Sequence, residues 1–299
     1  LGPAHDGFEY CVRCGFIESS HAPSGVMAGN HIKPYPDPKD QRCPGFVSHH
    51  VVLGTDFYSD VALLSVSFRH QIRLPPGGSV TVVALRTLAE SLARAATESV
   101  LEIESGEIVA EYRPALTEAG VRGEEAEIFL YDTLPGGAGY SREVAKDAEM
   151  LLQAALERMG DCEGNCDSSC YRCLRTFRNR PDHPQIDRHV GHALLSYLIT
   201  GELPPFNAER MRSAQDLLRC DLQRSLDGWT FTKDEGHAIL ATCANASARI
   251  RVGHPLSIPD GHEIRNADDE EAELVLNELL IRRNLPQASR RVREYLGID

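Results

Sequence analysis

The stretch CEGNCDSSCYRC, residues 162–173, places four cysteines within twelve residues at the spacing Cys162-x3-Cys166-x3-Cys170-x2-Cys173. A loop so short and acidic cannot shelter its own backbone polar groups, so its shape must come from something that all four thiolates hold at once. One tetrahedral Zn²⁺ ion does this in a closed, four-coordinate site. A four-cysteine iron–sulfur cluster and a set of unligated thiols are the alternatives. A second group is looser: CVRC supplies Cys11 and Cys14, and QRCPG supplies Cys43. If it holds zinc, its fourth ligand is a histidine, with His31 in GNHIKP best placed and His21, His49 and His50 as competitors. Buried thiols on a ribbon-like turn are the alternative there, and the same reading is given to the isolated Cys220 and Cys243. Nine cysteines grouped this tightly, with no secretory leader, favour two zinc sites in a reducing, cytoplasmic compartment over a disulfide framework.

A chain of 299 residues has room for two or three domains, and the expected division is 1–75, 76–204 and 205–299. It begins with Leu1 and reads as a soluble C-terminal portion of something longer. No 18-residue apolar run marks a membrane span, so no membrane partner is expected. The net charge of −13 excludes a surface that wraps nucleic acid as a whole, and any such contact must be local.

Residues 1–46, rich in Gly, Pro and His, read as loops organised around something other than an apolar core. Residues 46–68 read as two strands broken near Gly54. Leu85, Leu88, Leu92 and Ala96 mark a helix from the PPGG turn to about Leu101, followed by strands over 107–114 and 125–133. A helix runs from Tyr140 to Gly160 with Ser141 as its N-cap, and another covers about 186–199. Beyond 205 lie a helix in NAERMRSAQDLLRCDLQRSL, strands in GWTFTK and ARIRVGHPL, and a helix over 268–296 whose acids come first and arginines last. The fold class expected is α+β: a zinc-stabilised mixed sheet with packed helices and a smaller C-terminal α/β unit.

The loop DTLPGGAGYSREV, 132–144, has the glycine density of a phosphate cradle but carries no P-loop lysine or Ser/Thr. Gly136, Gly137 and Gly139 serve either a tight turn or a single backbone phosphate at the Tyr140–Ser141 helix start. No H-E-x-x-H or G-x-S-x-G occurs. The acid pairs Glu102/Glu104, Glu124/Glu125 and Asp268/Asp269 read as solvated faces, with a carboxylate nuclease as the alternative. One basic stretch follows the cysteines directly: Arg172, Arg175, Arg178 and Arg180 with Tyr171 and Phe177 interleaved. Arginines for phosphates and aromatics for bases suit single-stranded nucleic acid. Otherwise Phe177 is core and the arginines offset neighbouring acids.

The order FLYDTLPGGAGY, helix, CEGNCDSSCYRCL, then RNRPDHPQIDRHVGHALLSYL resembles the MrfA-type zinc-binding domain, specifically over roughly 125–200. Asp132, Gly136, Gly137, Gly139 and the four cysteines fall on its pattern, and the segment with Cys11, Cys14, His31 and Cys43 looks like the one that precedes it. Beyond about 205 the resemblance thins to HPL at 254–256. The resemblance implies that 76–204 is such a domain, working as the C-terminal module or accessory subunit of an ATP-dependent superfamily 2 DNA helicase. The settings it implies are DNA repair or anti-phage systems such as DISARM. The motor would then lie in another region or on a partner chain. A protein-only scaffold and a metal-dependent nuclease are the rival functions.

Overall fold

The computed structural model describes residues 7–19, 31–52, 54, 56–68, 72, 74–116, 122–244, 246–258, 261–267 and 270–298. His21, Asp268 and Asp269 lie outside them. The chain forms two compact units, 1–57 and 58–299.

In the first unit, β1 (Phe8–Tyr10) pairs antiparallel with β2 (Ile17–Ser19) and with the strand after the short β3 (His31–Ile32) and β4 (Arg42–Cys43), namely β5 (Ser48–Val51). Its buried cluster is Cys11, Cys14, Cys43 and Val47. Strands this short bury too little apolar surface to order themselves, so the sulfur-lined centre stands where a hydrophobic core would be.

The second unit opens with the antiparallel sheet of β6 (Val61–Ser67), β7 (Ile108–Leu116) and β8 (Arg122–Asp132), in the order β6-β8-β7. Against it packs α1 (Ser79–Ala95), continued by a π-helical turn to Val100. Leu85, Leu88, Leu92 and Ala96 are all buried, and so are Thr87 and Ser91 on another face of the helix. A helix buried on several faces must be covered on more than one side. The further cover comes from α3 (Ala148–Gly160) and α4 (Arg188–Thr200). Gly191 permits α4 to approach closely, since a Cβ there would sit 2.4 Å from Thr87 Cγ2 and 2.7 Å from Met159 Sδ.

The expected single helix from Tyr140 to Gly160 is two: α2 (Tyr140–Lys146) and α3, with Asp147 between them at φ −123° capping Met150 N. Ser141 is not the N-cap. Gly139, at φ +84°, holds that position, and Ser141 lies buried in the first turn.

Residues beyond 205 build a second core. The sheet β12-β13-β11-β10-β9 comprises β9 (Thr230–Asp234), β10 (Ala238–Cys243), β11 (Ala246–Gly253), β12 (His262–Ala267) and β13 (Glu270–Asn277). It is mixed, because β11 and β13 run parallel while the other pairs are antiparallel. Three helices pack with it: α5 (Ala208–Ser225), α6 (Glu278–Arg283) and α7 (Leu285–Leu296). The helix expected over 268–296 is corrected here. Its first part is β13, whose Leu274, Val275 and Leu276 are buried beside β11, and only 278–296 is helical. β10 and β12 were not anticipated at all. Cys220 is exposed and Cys243 half-buried, so neither is the fully buried thiol expected.

Arg210, on α5, ties this core to the first. Its guanidinium donates to Asp187 (Nη1–Oδ1 2.6 Å, Nη2–Oδ2 2.9 Å), to Glu278 (Nε–Oε1 2.8 Å) and to the Asp167 carbonyl (3.2 Å), with Phe206 stacked at 5.4 Å. All three charged side chains are buried. Burial and then Asp187 oppose each other at Arg210, and the two carboxylates win, raising its pKa. Burial raises that of Glu278 despite the same contact.

Two outcomes follow. Arg210→Ala leaves Asp187 buried without its cation and Glu278 with only Arg282 (3.3 Å), and should lower stability by about 3–5 kcal/mol in chemical denaturation. His254, on the loop after β11, is held near pKa 4 by burial. Because the unfolded chain takes up this proton first, stability should fall as pH drops from about 6.5 to about 4, by at most ~1.4 kcal/mol per pH unit. His254→Asn, which keeps the acceptor that caps Leu256 N, should remove that part of the slope.

Candidate metal centres and an adjoining basic ridge

The loop between α3 and α4 turns tightly on its own carbonyls: Asn165 N donates to Cys162 O (2.7 Å), and Leu174 N and Arg175 N both donate to Cys170 O (3.0 and 2.9 Å). These turns bring four sulfurs together. The Cys162–Cys170, Cys162–Cys166, Cys166–Cys173 and Cys170–Cys173 Sγ separations are 3.5, 3.6, 3.6 and 3.8 Å. A tetrahedral Zn–S₄ site with bonds of ~2.3 Å has sulfur–sulfur edges of about 3.8 Å. The separations are far longer than the ~2.05 Å of a disulfide, and the thiols are free. They suit one ion at the centre better than a polynuclear cluster, whose cysteines must spread around several metals. Cys170 N also points at Cys173 Sγ (3.1 Å), a donor that would stabilise a bound thiolate.

The bare thiols already differ in acidity. Burial raises Cys162, but amide donors from Cys166 and Gly164 and the neighbouring thiols outweigh it and bring it down to about 6. Cys166 and Cys173 are pushed up, burial being the first cause in each.

Arg188 anchors the loop from behind. Buried at the start of α4, it donates to Cys166 O (3.1 Å), Met159 O (3.0 Å) and Gly160 O (3.1 Å). Asp187 caps α4 while holding Arg210, and Arg282 pairs with Asp167 in the loop. None of these supports was read from the sequence. Asp187 stood one residue before an apolar period, an N-cap signal, but nothing local announces Arg210 or Glu278.

In the first unit, Cys11, Cys14, His31 and Cys43 are all buried and offer donor atoms within 4.8 Å of one another. His31 Nε2 lies 3.0 Å from Cys14 Sγ, with the Phe16 ring 5.1 Å from the imidazole. Gly45 packs so close that a Cβ would meet Cys11 Sγ at 2.9 Å. Of the competing histidines, His49 is exposed and paired with Glu9, His50 is exposed, and His21 is outside the described residues. Among the described residues these two are the groups of three or more His, Cys, Asp or Glu donors that could hold a metal.

The glycine loop is occupied by the protein itself. The buried carboxylate of Asp132 accepts from Ala138 N (2.8 Å), Tyr140 N (3.0 Å), Ser141 N (2.8 Å) and Ser141 Oγ (2.5 Å). Asp60 accepts from Gly139 N (3.1 Å) and pairs with Arg142 (2.7 Å). Burial raises the Asp132 pKa, but the Ser141 hydroxyl and these amides outweigh it, so it stays below its ordinary value. An internal anion thus takes the amides that a phosphate at the Tyr140–Ser141 helix start would need.

After the cysteines the chain forms a ridge. Asn179, buried, fixes it: Oδ1 accepts from Thr176 N (2.7 Å), and Nδ2 donates to Leu174 O (3.0 Å) and Glu90 (2.8 Å). Arg94 of α1 donates to Tyr171 O (3.1 Å) and Arg175 O (3.3 Å). Phe177 is 81% exposed and Tyr171 60%, so Phe177 is not core. Arg172, Arg178 and Arg180 are exposed and Arg175 half-buried, its Nε donating to Ser169 Oγ (2.9 Å). None of the four has an ion pair among the described residues.

Residues 89–174 match the model of the family described as the MrfA Zn-binding domain. Over these residues the chain is similar to that domain. The match begins inside α1, earlier than the 125 expected, and ends directly after Cys173. Druantia protein DruE of Escherichia coli (strain UMEA 4076-1) is 30% identical over 307 residues, covering 97% of this chain and 16% of that protein. The chain therefore spans a small part of DruE, and that similarity runs through the residues beyond 205, where the resemblance to the zinc-binding domain thins. An uncharacterized protein of Methanocaldococcus jannaschii is 29% identical over 77 residues, 26% of this chain and 67% of its own length. No solved structure is significantly similar. Among the described residues no helix is long and apolar enough to cross a membrane.

The geometry predicts two zinc ions per chain by elemental analysis. Cys170→Ser should reduce this to one and lower the melting temperature, and His31→Ala should weaken the other site selectively. Chelation should unfold the 161–175 loop first, seen as loss of amide-exchange protection there.

Proposed function

We propose that the chain is a zinc-holding, non-catalytic module of an ATP-dependent superfamily 2 DNA helicase assembly, with its motor on the same polypeptide or on a partner. In this reading Cys162, Cys166, Cys170 and Cys173 bind one Zn²⁺, and Cys11, Cys14, His31 and Cys43 bind another. The zinc loop fixes the base of the 171–180 ridge, which guides one DNA strand leaving the motor. Its setting is anti-phage defence in the cytoplasm, where thiolates stay reduced. The similarity to a Druantia protein across nearly the whole chain favours that setting over DNA repair.

The observation that carries the DNA reading is the set of four arginines without ion pairs, interleaved with an exposed Phe177 and Tyr171. Guanidinium groups left unpaired keep their attraction for phosphates, and aromatic faces left bare accept stacked bases. A nuclease reading is disfavoured because, among the described residues, no three carboxylates converge as a metal site.

Changing Arg172 and Arg180 together to Ala should weaken single-stranded DNA binding uniformly across sequences. It should also make the slope of log K against log salt shallower by about 1.4, at ~0.7 per phosphate contact on a single strand. Unchanged affinity and slope in fluorescence anisotropy would identify a scaffold that meets only protein.

A further inference from the structure

Beside the ridge, α1, the 105–106 turn, the start of β7 and the 174–182 segment enclose a cleft of ≈ 160 Å³. That is below the ~300–1,000 Å³ of sites that hold drug-sized ligands, and it admits one planar ring system. Ile108 and Leu174 give it apolar wall, while Asp182, Arg178, Glu90 and Arg86 bring charge to its lining.

Most charged groups in such a place neutralise one another, and here part of the set does. Arg86 pairs with Glu111 (2.9 Å) and Glu90 (3.7 Å), and Glu90 accepts from Asn179. The remainder is left over. Among the described residues the Asp182 carboxylate has no hydrogen bond or ion pair, though its backbone N–H donates to Asn179 O. Arg178 reaches only the Gly106 carbonyl, at 3.5 Å. Arg86 Nε is buried with no partner. The cleft therefore offers an open acceptor pair on Asp182 and open donors on Arg178, around a slot with apolar wall, while Arg86 is held by its carboxylates and turns its unpartnered Nε inward.

We propose that this cleft receives a single guanine base turned out of a DNA strand lying on the ridge. Guanine alone among the bases presents two adjacent N–H donors, N1 and N2, which a carboxylate accepts in pair, next to O6 and N7, which a guanidinium meets. Adenine opposes a carboxylate with a ring-nitrogen acceptor, and thymine has one N–H flanked by two carbonyls. A base already in a single strand is the least costly to turn out, and its neighbours would rest on Phe177 and Tyr171. The proposal rests on the ridge being a DNA path, but the cleft chemistry can be tested without it.

Saturation-transfer NMR with 2′-deoxyguanosine, thymidine and 2′-deoxyadenosine on the full chain tests the cleft alone. Preferential binding of 2′-deoxyguanosine, lost in Asp182→Asn, is expected; equal signals from all three nucleosides overturn the proposal. In a second arm, an oligothymidylate with one central dG should bind wild-type protein about fivefold or more tightly than the same oligomer without it. Equal, measurable affinities overturn the base site while leaving the ridge reading standing. If neither oligomer binds, the ridge reading fails and so does the proposal of a base delivered from it. Wild-type selectivity decides in both arms, so a variant that fails to fold does not blur the outcome.

Discussion

Four sulfurs within 4.8 Å of one another at the end of α3 are an arrangement that cannot persist as four bare thiolates. Each pair of unit charges at such a distance repels by about 4 kcal/mol at an effective dielectric of 20, and a tetrahedron has six pairs. Either protons stay on or a divalent cation sits between them. Without a cation the acidities separate, with Cys162 low while Cys166 and Cys173 are pushed up. A Zn²⁺ ion would replace that uneven proton sharing with one strong centre, and four of the six edges are already close to the length it needs.

Arginines attach the loop to most of what surrounds it. Arg188 gathers the last carbonyls of α3 and one carbonyl of the loop, satisfying helix-end acceptors that would otherwise be orphaned. Arg210 links the cap of α4 to a buried carboxylate on α6 and to the loop carbonyl at 167. Arg94 holds the ridge from α1. The metal loop, the ridge and the C-terminal sheet are thereby parts of one connected polar network, so a change in the loop should be felt at the ridge before it is felt in the sheet of β6, β7 and β8.

What the sequence made legible was chiefly local. Cysteine spacing reports a cluster of four sulfurs because all four lie within one turn-rich loop, and His31 beside Cys11, Cys14 and Cys43 was legible because a lone CxxC with a remote cysteine lacks one donor. α1 was legible because Leu85, Leu88 and Leu92 repeat at the helical period. β13 was not: EEAELVLN has acids first and good helix formers after, and only its pairing with β11 and β12 makes it a strand. The break at Asp147 was hidden because apolar residues continue in phase on both sides. Asp132 and Asp60 were invisible as internal anions because their partners depend on how the loop closes. Asp187, Arg210 and Glu278 could not be foreseen as a group, since they stand 23 and 68 residues apart along the chain.

The charge of the whole chain and the charge of the ridge point in opposite directions, and distance settles which one a ligand meets. At physiological salt the screening length is about 8 Å, so acids elsewhere on a −13 chain scarcely weaken a phosphate seated on the ridge. Nearby acids could do so, but several are already engaged. Glu98 is held by Arg94 and Arg158, Glu111 and Glu90 by Arg86, and Asp167 by Arg282. With those acids neutralised by arginines outside the ridge, Arg172, Arg178 and Arg180 stand without an ion pair among the described residues. An acidic protein can in this way keep one strip of surface basic, and the strip lies where the zinc loop ends.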